Sequence, residues 1–209
     1  MDAKVLLASG LAAYLYVIAP GPAFLALFTL SASKGRARGA KFICGHLVGD
    51  VTWGALAVAA IVGANRLGPT LFDVLGLGCG LYLIYLGWRA LTTKKDAPPR
   101  TIGAERPLLT GVMFGLTNPK SYPVALAMFS AIVAPYVSKL SLADAPRLMG
   151  AAFLGFLLAD ATLIFAAGLA PVRRFFLRHG LIVTRVVGAL FIAFGARSIA
   201  DAASGLRRG

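Results

Sequence analysis

Residues 5–31 read VLLASGLAAYLYVIAPGPAFLALFTLS, an apolar run without a charged side chain. About 20 apolar residues cross a bilayer as a helix, so this run is long enough to span. Lys4 precedes it in the manner of a secretory leader. The run is nevertheless too long for a leader's apolar core, lacks a clear cleavage site and is followed by similar runs. It is therefore read as a true span. Its middle carries Ala19-Pro20-Gly21-Pro22. Proline has no amide hydrogen, so in a helix Pro20 leaves the Tyr16 carbonyl unbonded and Pro22 leaves that of Ile18. Gly21 adds flexibility, and Pro22 begins a second half-helix whose exposed amides favour an anion. Irregular backbone at mid-membrane depth is tolerated only where it is buried in protein or lines a wet cavity. A merely structural kink is the plainer reading; two prolines around a glycine favour a functional break.

Five further apolar runs follow, at Phe42–Ala64, Thr70–Leu91, Leu108–Ala134, Leu148–Ala170 and Leu181–Ala200. The 209 residues are 58% hydrophobic and 14% charged, with a mean hydropathy of +0.80. An ordinary soluble domain carries about 25% charge, so too few polar groups remain to cover a water-facing surface. The expected fold is all-α and polytopic, with six transmembrane helices of which the first and fourth are broken. The whole of 1–209 forms one membrane domain: 1–92, a basic cytoplasmic linker at 93–107, and 108–209. Lysines and arginines sort into thirteen on one side and seven on the other, with Lys120 inside the fourth run. The richer side is expected to be cytoplasmic, which places both termini outside; the tail Arg207-Arg208 pulls weakly the other way.

The halves resemble each other. Gly80-Leu-Tyr-Leu-Ile-Tyr-Leu-Gly87-Trp-Arg89 matches Gly188-Ala-Leu-Phe-Ile-Ala-Phe-Gly195-Ala-Arg197 at an offset of 108, and Gly45-His-Leu-Val-Gly-Asp50 matches Gly155-Phe-Leu-Leu-Ala-Asp160 at 110. The first and fourth runs both carry paired prolines. Three spans is an odd number, so the second half enters the membrane from the opposite face. That is the inverted-repeat design of secondary transporters, with the site near the midplane.

The fourth run contains Asn118-Pro119-Lys120-Ser121-Tyr122-Pro123. Pro119 frees the carbonyl of Gly115, and Pro123 that of Pro119. A lysine in mid-span costs about 2.5–3.5 kcal/mol, so Lys120 either faces a partner or water, or snorkels to an interface. Asp50 and Asp160 are the deep carboxylates and are equivalent under the repeat. Each either takes up and releases a proton or ties helices together by hydrogen bonds. His46 lies one turn before Asp50 on the same helix face. The residues expected to bind solute are Tyr16, Ile18, Pro20, Gly21, Pro22, Asn118, Pro119 and Lys120. Those expected to couple protons are Asp50, Asp160 and His46.

The net charge of +13 does not imply nucleic acid, because the basic residues sit in loops between spans, where membrane lipid meets them. Cys44 and Cys79 lie in apolar runs and read as packing residues, not as a staple or metal site. Gly45/Gly49, Gly76/Gly80 and Gly111/Gly115 are spaced for close helix contact, within one protomer or between two copies in a homo-oligomer. PVRRFFLRHG, Pro171–Gly180, is either an interfacial stretch or an ordinary basic loop, and His179 is placed in a loop. No nucleophile or zinc-protease motif argues for an intramembrane enzyme, and no cofactor or metal is expected. A channel or metal-ion transporter of the same fold is the alternative to solute export; His46, Asp50 and Asp160 are few ligands for a divalent ion.

With these residues in view, the chain resembles the LysE/RhtB family of amino-acid exporters over nearly its full length. The resemblance is carried by Pro20-Gly21-Pro22, Lys34-Gly-Arg-Ala-Arg-Gly39, Gly45 and Gly49-Asp50 followed by Trp53, Asn118-Pro119-Lys120, and the helix ends Gly87/Arg89 and Gly195/Arg197. It implies a six-span protein of the bacterial inner membrane that exports amino acids or similar small metabolites, driven by the proton motive force. His46 and Ser121-Tyr122-Pro123 depart from the family pattern beside the expected site, which leaves the substrate open.

Overall fold

A computed structural model of the chain describes every residue except 1, 20, 68, 94–104, 119–120, 134–135, 137–138 and 208–209. Among the described residues the regular structure is entirely helical. Pro20, Pro119, Lys120 and most of the 93–107 linker lie outside them.

Proline placement decides where helices begin. α1 (Ala3–Ile18) ends before the Pro-Gly-Pro stretch, and α2 (Pro22–Lys34) starts with Pro22 as its first residue. There the missing amide would have had no partner in any case. The axes of the two differ by 57°. α5 (Pro107–Thr117) and α6 (Ser121–Val133) are separated at the Asn-Pro-Lys stretch in the same way. Between α2 and α3 (Arg36–Leu67) the chain turns at Gly35, whose φ of +92° is disfavoured for a side-chain-bearing residue. α4 spans Pro69–Leu91, α7 Ala145–Gly168 and α8 Ala170–Leu206. A 3-10 turn at Leu142–Asp144 leads into α7, with Ser141 and Asp144 capping each other's backbone.

Arg36–Gly63, Leu142–Gly168 and Arg178–Leu206 are long and apolar enough to cross a membrane, and α1 with α2 makes a fourth crossing if counted as one bent span. The expected fourth span is two short helices of 11 and 13 residues. At 1.5 Å per residue these reach about 16 and 20 Å, so neither crosses an apolar layer of about 30 Å alone. The expected last span, Leu181–Ala200, is the interior of a longer helix. α8 begins at Ala170, so Pro171–Gly180 is helical, and His179 stands in the helix at a kink (φ −114°, ψ 15°) instead of in a loop. Pro171 falls in the first turn, where it does not break the helix.

Packing inverts the soluble pattern. On α1 the bulky Leu7, Leu11 and Leu15 face outward, while Ala8, Ala12 and Ala13 are buried. On α7 Leu154 and Leu158 face out while Ala152, Gly155 and Ala159 are buried. Small residues let backbones approach, and lipid accepts the bulky ones. Gly45 and Gly49 pack on α5 backbone at Leu108 and Gly115, and Gly111 packs on Phe42 and His46 of α3. Gly155, aligned with Gly45 at the offset of 110, packs on the α1 carbonyl of Gly10. These glycine pairs are thus spent within one chain.

The α4–α8 contact is antiparallel and reads the same from either helix. A Cβ on Gly80 would strike the Gly195 carbonyl and Ile199, and one on Gly188 would strike the Gly87 carbonyl and Leu91. Likewise Gly87 meets Gly188 and Ile192, while Gly195 meets Gly80 and Ile84. Exchanging the partners at the offset of 108 turns each contact into the other.

Candidate solute site

α3 carries His46 and Asp50 one turn apart, with Nδ1 and Oδ2 separated by 2.9 Å. His46 is 6% exposed and Asp50 1%. An ionised carboxylate only accepts, so with Asp50 charged the imidazole proton sits on Nδ1. The other ring nitrogen, Nε2, is buried without a hydrogen-bond partner among the described residues. Phe42 and Phe114 flank the ring at centroid distances of 6.3 and 6.2 Å, so the first helix of the α5–α6 pair helps to keep water from it.

Asp160 projects from α7 and is buried, and its Oδ1 has no hydrogen-bond partner among the described residues. Buried polar atoms are normally satisfied, because an unmade hydrogen bond costs about 1–3 kcal/mol. Two such atoms on titratable groups, His46 and Asp160, therefore call for a physical explanation.

Beside His46 and Asp50 lies a cavity of about 20 Å³, room for about one water molecule. Tyr16, His46, Asp50 and Ser121 line it, together with Ala19 and Ala23 from the two sides of the α1–α2 break. The Tyr16 hydroxyl faces Asp50 and Ser121, and its ring stands edge-on to Phe156 at 6.1 Å. Leu163, one turn beyond Asp160, closes the α7 side.

Of the residues expected at a site, Tyr16, His46 and Asp50 therefore meet at one cavity, with Asp160 buried nearby on α7. Gly21 caps α2, Pro22 opens it, and Ile18 packs with the α2 cluster away from the cavity lining. Asn118 is buried beside the second break, where its carbonyl accepts the Ser121 amide at 3.0 Å. Ser121 reaches the cavity from the head of α6, a role its position beside Asn-Pro-Lys had hinted at. Sequence reasoning missed Trp53: its indole N–H donates to the Gly115 carbonyl at 3.0 Å. That is the very carbonyl Pro119 leaves without an amide partner.

The family model of the LysE type translocators matches residues 14–201. The chain belongs to that family. An uncharacterized membrane protein of Pseudomonas aeruginosa is 30% identical over 195 residues, covering 87% of this chain and 88% of that protein. Leucine efflux proteins of Salmonella choleraesuis and Salmonella typhimurium are 27% identical over 191 residues, with 87% and 88% covered. No solved structure matches the chain. This LysE type translocator is a multi-pass membrane protein, and its apolar helices and outward leucines are those of a chain in lipid.

Proposed function

We propose that this translocator exports amino acids or similar small zwitterions across the bacterial inner membrane, coupled to proton entry, and that it is no enzyme. The observation that carries the reading is the buried His46–Asp50 pair, set with Tyr16 and Ser121 around a small cavity at two helix breaks. Family membership and the leucine efflux relatives point to the solute class.

In this reading residues 1–92 and 108–209 are inverted repeats that alternate access, joined by a cytoplasmic linker at 93–107, with both termini outside. The exchange symmetry of the α4–α8 glycines supports the repeat. The solute carboxylate meets Lys120, Asn118 and the α2 amides that follow Pro20, Gly21 and Pro22. Its ammonium meets the freed carbonyls of Tyr16 and Ile18 and one aspartate; Pro119 frees the backbone at the second break. A proton entering from outside neutralises Asp50 or Asp160, with His46 as the relay. A cavity with room for one water holds no amino acid, so this conformation is closed at its centre, and loading requires the paired half-helices to move apart.

The test is efflux of labelled amino acids from preloaded liposomes under an inward proton gradient. Selective efflux that a protonophore abolishes and Asp50→Asn removes is expected. Efflux that Asp50→Asn leaves pH-driven would end the coupling role of that carboxylate, and no efflux of any amino acid would end the export reading.

A further inference from the structure

A second cavity, of about 550 Å³, lies between α4, α6 and α8. Its size falls in the range of small-molecule sites, about 300–1,000 Å³, whereas the cavity at His46 and Asp50 holds one water. Leu126 and Phe194 form an apolar wall, and Cys79 lines it from α4. Asp73 near the start of α4 and Arg197 and Asp201 near the end of α8 place charges on it.

The lining carries charges of both signs. Arg197 Nε sits 3.6 Å from Asp201 Oδ2, with the two side chains 77% and 72% exposed. An exposed pair of that length contributes little, and it leaves the two terminal nitrogens of the guanidinium free to grip a carboxylate in a fork. Asp73 has no ion pair with any described residue, and its carboxylate lies against Gly205 of α8. Arg89, the counterpart of Arg197 at the offset of 108, instead stands over the Tyr85 ring at 5.9 Å. The two ends of the α4–α8 pair are thus alike in backbone and unlike in what their arginines face.

α6 joins the two cavities. Ser121 lines the small one and Leu126 the large one, five residues or about 7.5 Å apart along the axis. We propose that the α4–α6–α8 cavity is a second solute site, a vestibule that receives an amino acid with an apolar side chain: carboxylate on Arg197, ammonium on Asp73, side chain against Leu126 and Phe194. The proposal rests on the export reading for the direction of traffic, but its chemistry stands on the cavity alone.

Cys79 reports on it directly. The chain has two cysteines, so Cys44→Ser leaves Cys79 as the one thiol, and adding Cys79→Ser supplies the blank. In liposomes a membrane-impermeant thiosulfonate is expected to modify Cys79, and a mixture of leucine, isoleucine, valine and methionine to slow the reaction. Arg197→Gln and Asp73→Asn should each raise the concentration for half-protection at least about tenfold, or about 1.4 kcal/mol, with Arg197→Lys intermediate. Three results would overturn the vestibule: no modification from water, a rate indifferent to the amino acids, or protection unchanged in both variants. Efflux measured on the same liposomes separates the two readings. Efflux without protection removes the vestibule and keeps export, whereas protection without efflux keeps the site and removes export.

Discussion

The Trp53 indole donates its hydrogen to the Gly115 carbonyl across the α3–α5 contact, 3.0 Å from nitrogen to oxygen. Pro119, four residues on, cannot bond that carbonyl, so a side chain from another helix replaces the missing backbone donor. The same tryptophan ring lies 6.1 Å from that of Tyr122 on α6. One residue of α3 therefore touches both α5 and α6.

Replacing Trp53 with Phe should keep most of the packing and lose the hydrogen bond. With the carbonyl left unbonded, a loss of about 1–3 kcal/mol is expected, read as a lower midpoint of thermal unfolding in detergent. An unchanged midpoint would mean that water or another donor takes the carbonyl.

Glycine substitutions should divide by what lies over them. Gly111→Ala and Gly115→Ala push a methyl into α3 backbone at Phe42, His46 and Gly49, which cannot yield as a flexible side chain could. A loss of about 1–3 kcal/mol or more is expected from such overpacking. Gly78→Ala meets open space and should be neutral or slightly stabilising, since alanine favours helix by about 1 kcal/mol. Equal thermal midpoints for all three variants would contradict the close α3–α5 approach.

His46→Gln can still reach Asp50 but has no ring nitrogen to take up and pass on a proton. If the pair relays protons, efflux at a fixed gradient should fall at least about tenfold, or about 1.4 kcal/mol. Efflux at the full rate in His46→Gln would assign His46 a packing role only.

Ser141 and Asp144 cap the turn before α7, where the Ser141 amide and hydroxyl both donate to the Asp144 carboxylate at 3.0 Å. Ser141→Ala keeps the amide and loses the hydroxyl, so a slightly lower midpoint of thermal unfolding in detergent is expected. An unchanged midpoint would remove the hydroxyl's share of the cap.

Composition and local chemistry were enough for a helical membrane chain whose first and fourth apolar runs break. A proline lacks its amide hydrogen wherever it stands, and apolar runs prefer lipid to water whatever they later touch. His46 and Asp50 were legible as a pair because helical spacing alone sets them on one face. Other features needed the fold. Nothing local tells that Trp53 satisfies Gly115, 62 positions away, or that Ser121 shares a cavity with Tyr16. Whether Pro171 opens a helix or ends one depends on which side of it the chain has packing partners, so a stretch that reads equally as an interfacial segment or a loop forms the start of α8. Glycine spacing announced close contact, but its partners were chosen by helix crossings. Those crossings, set by many weak contacts between distant segments, also decided that the cavity at His46 and Asp50 has room for one water and that a larger one lies beside Arg197.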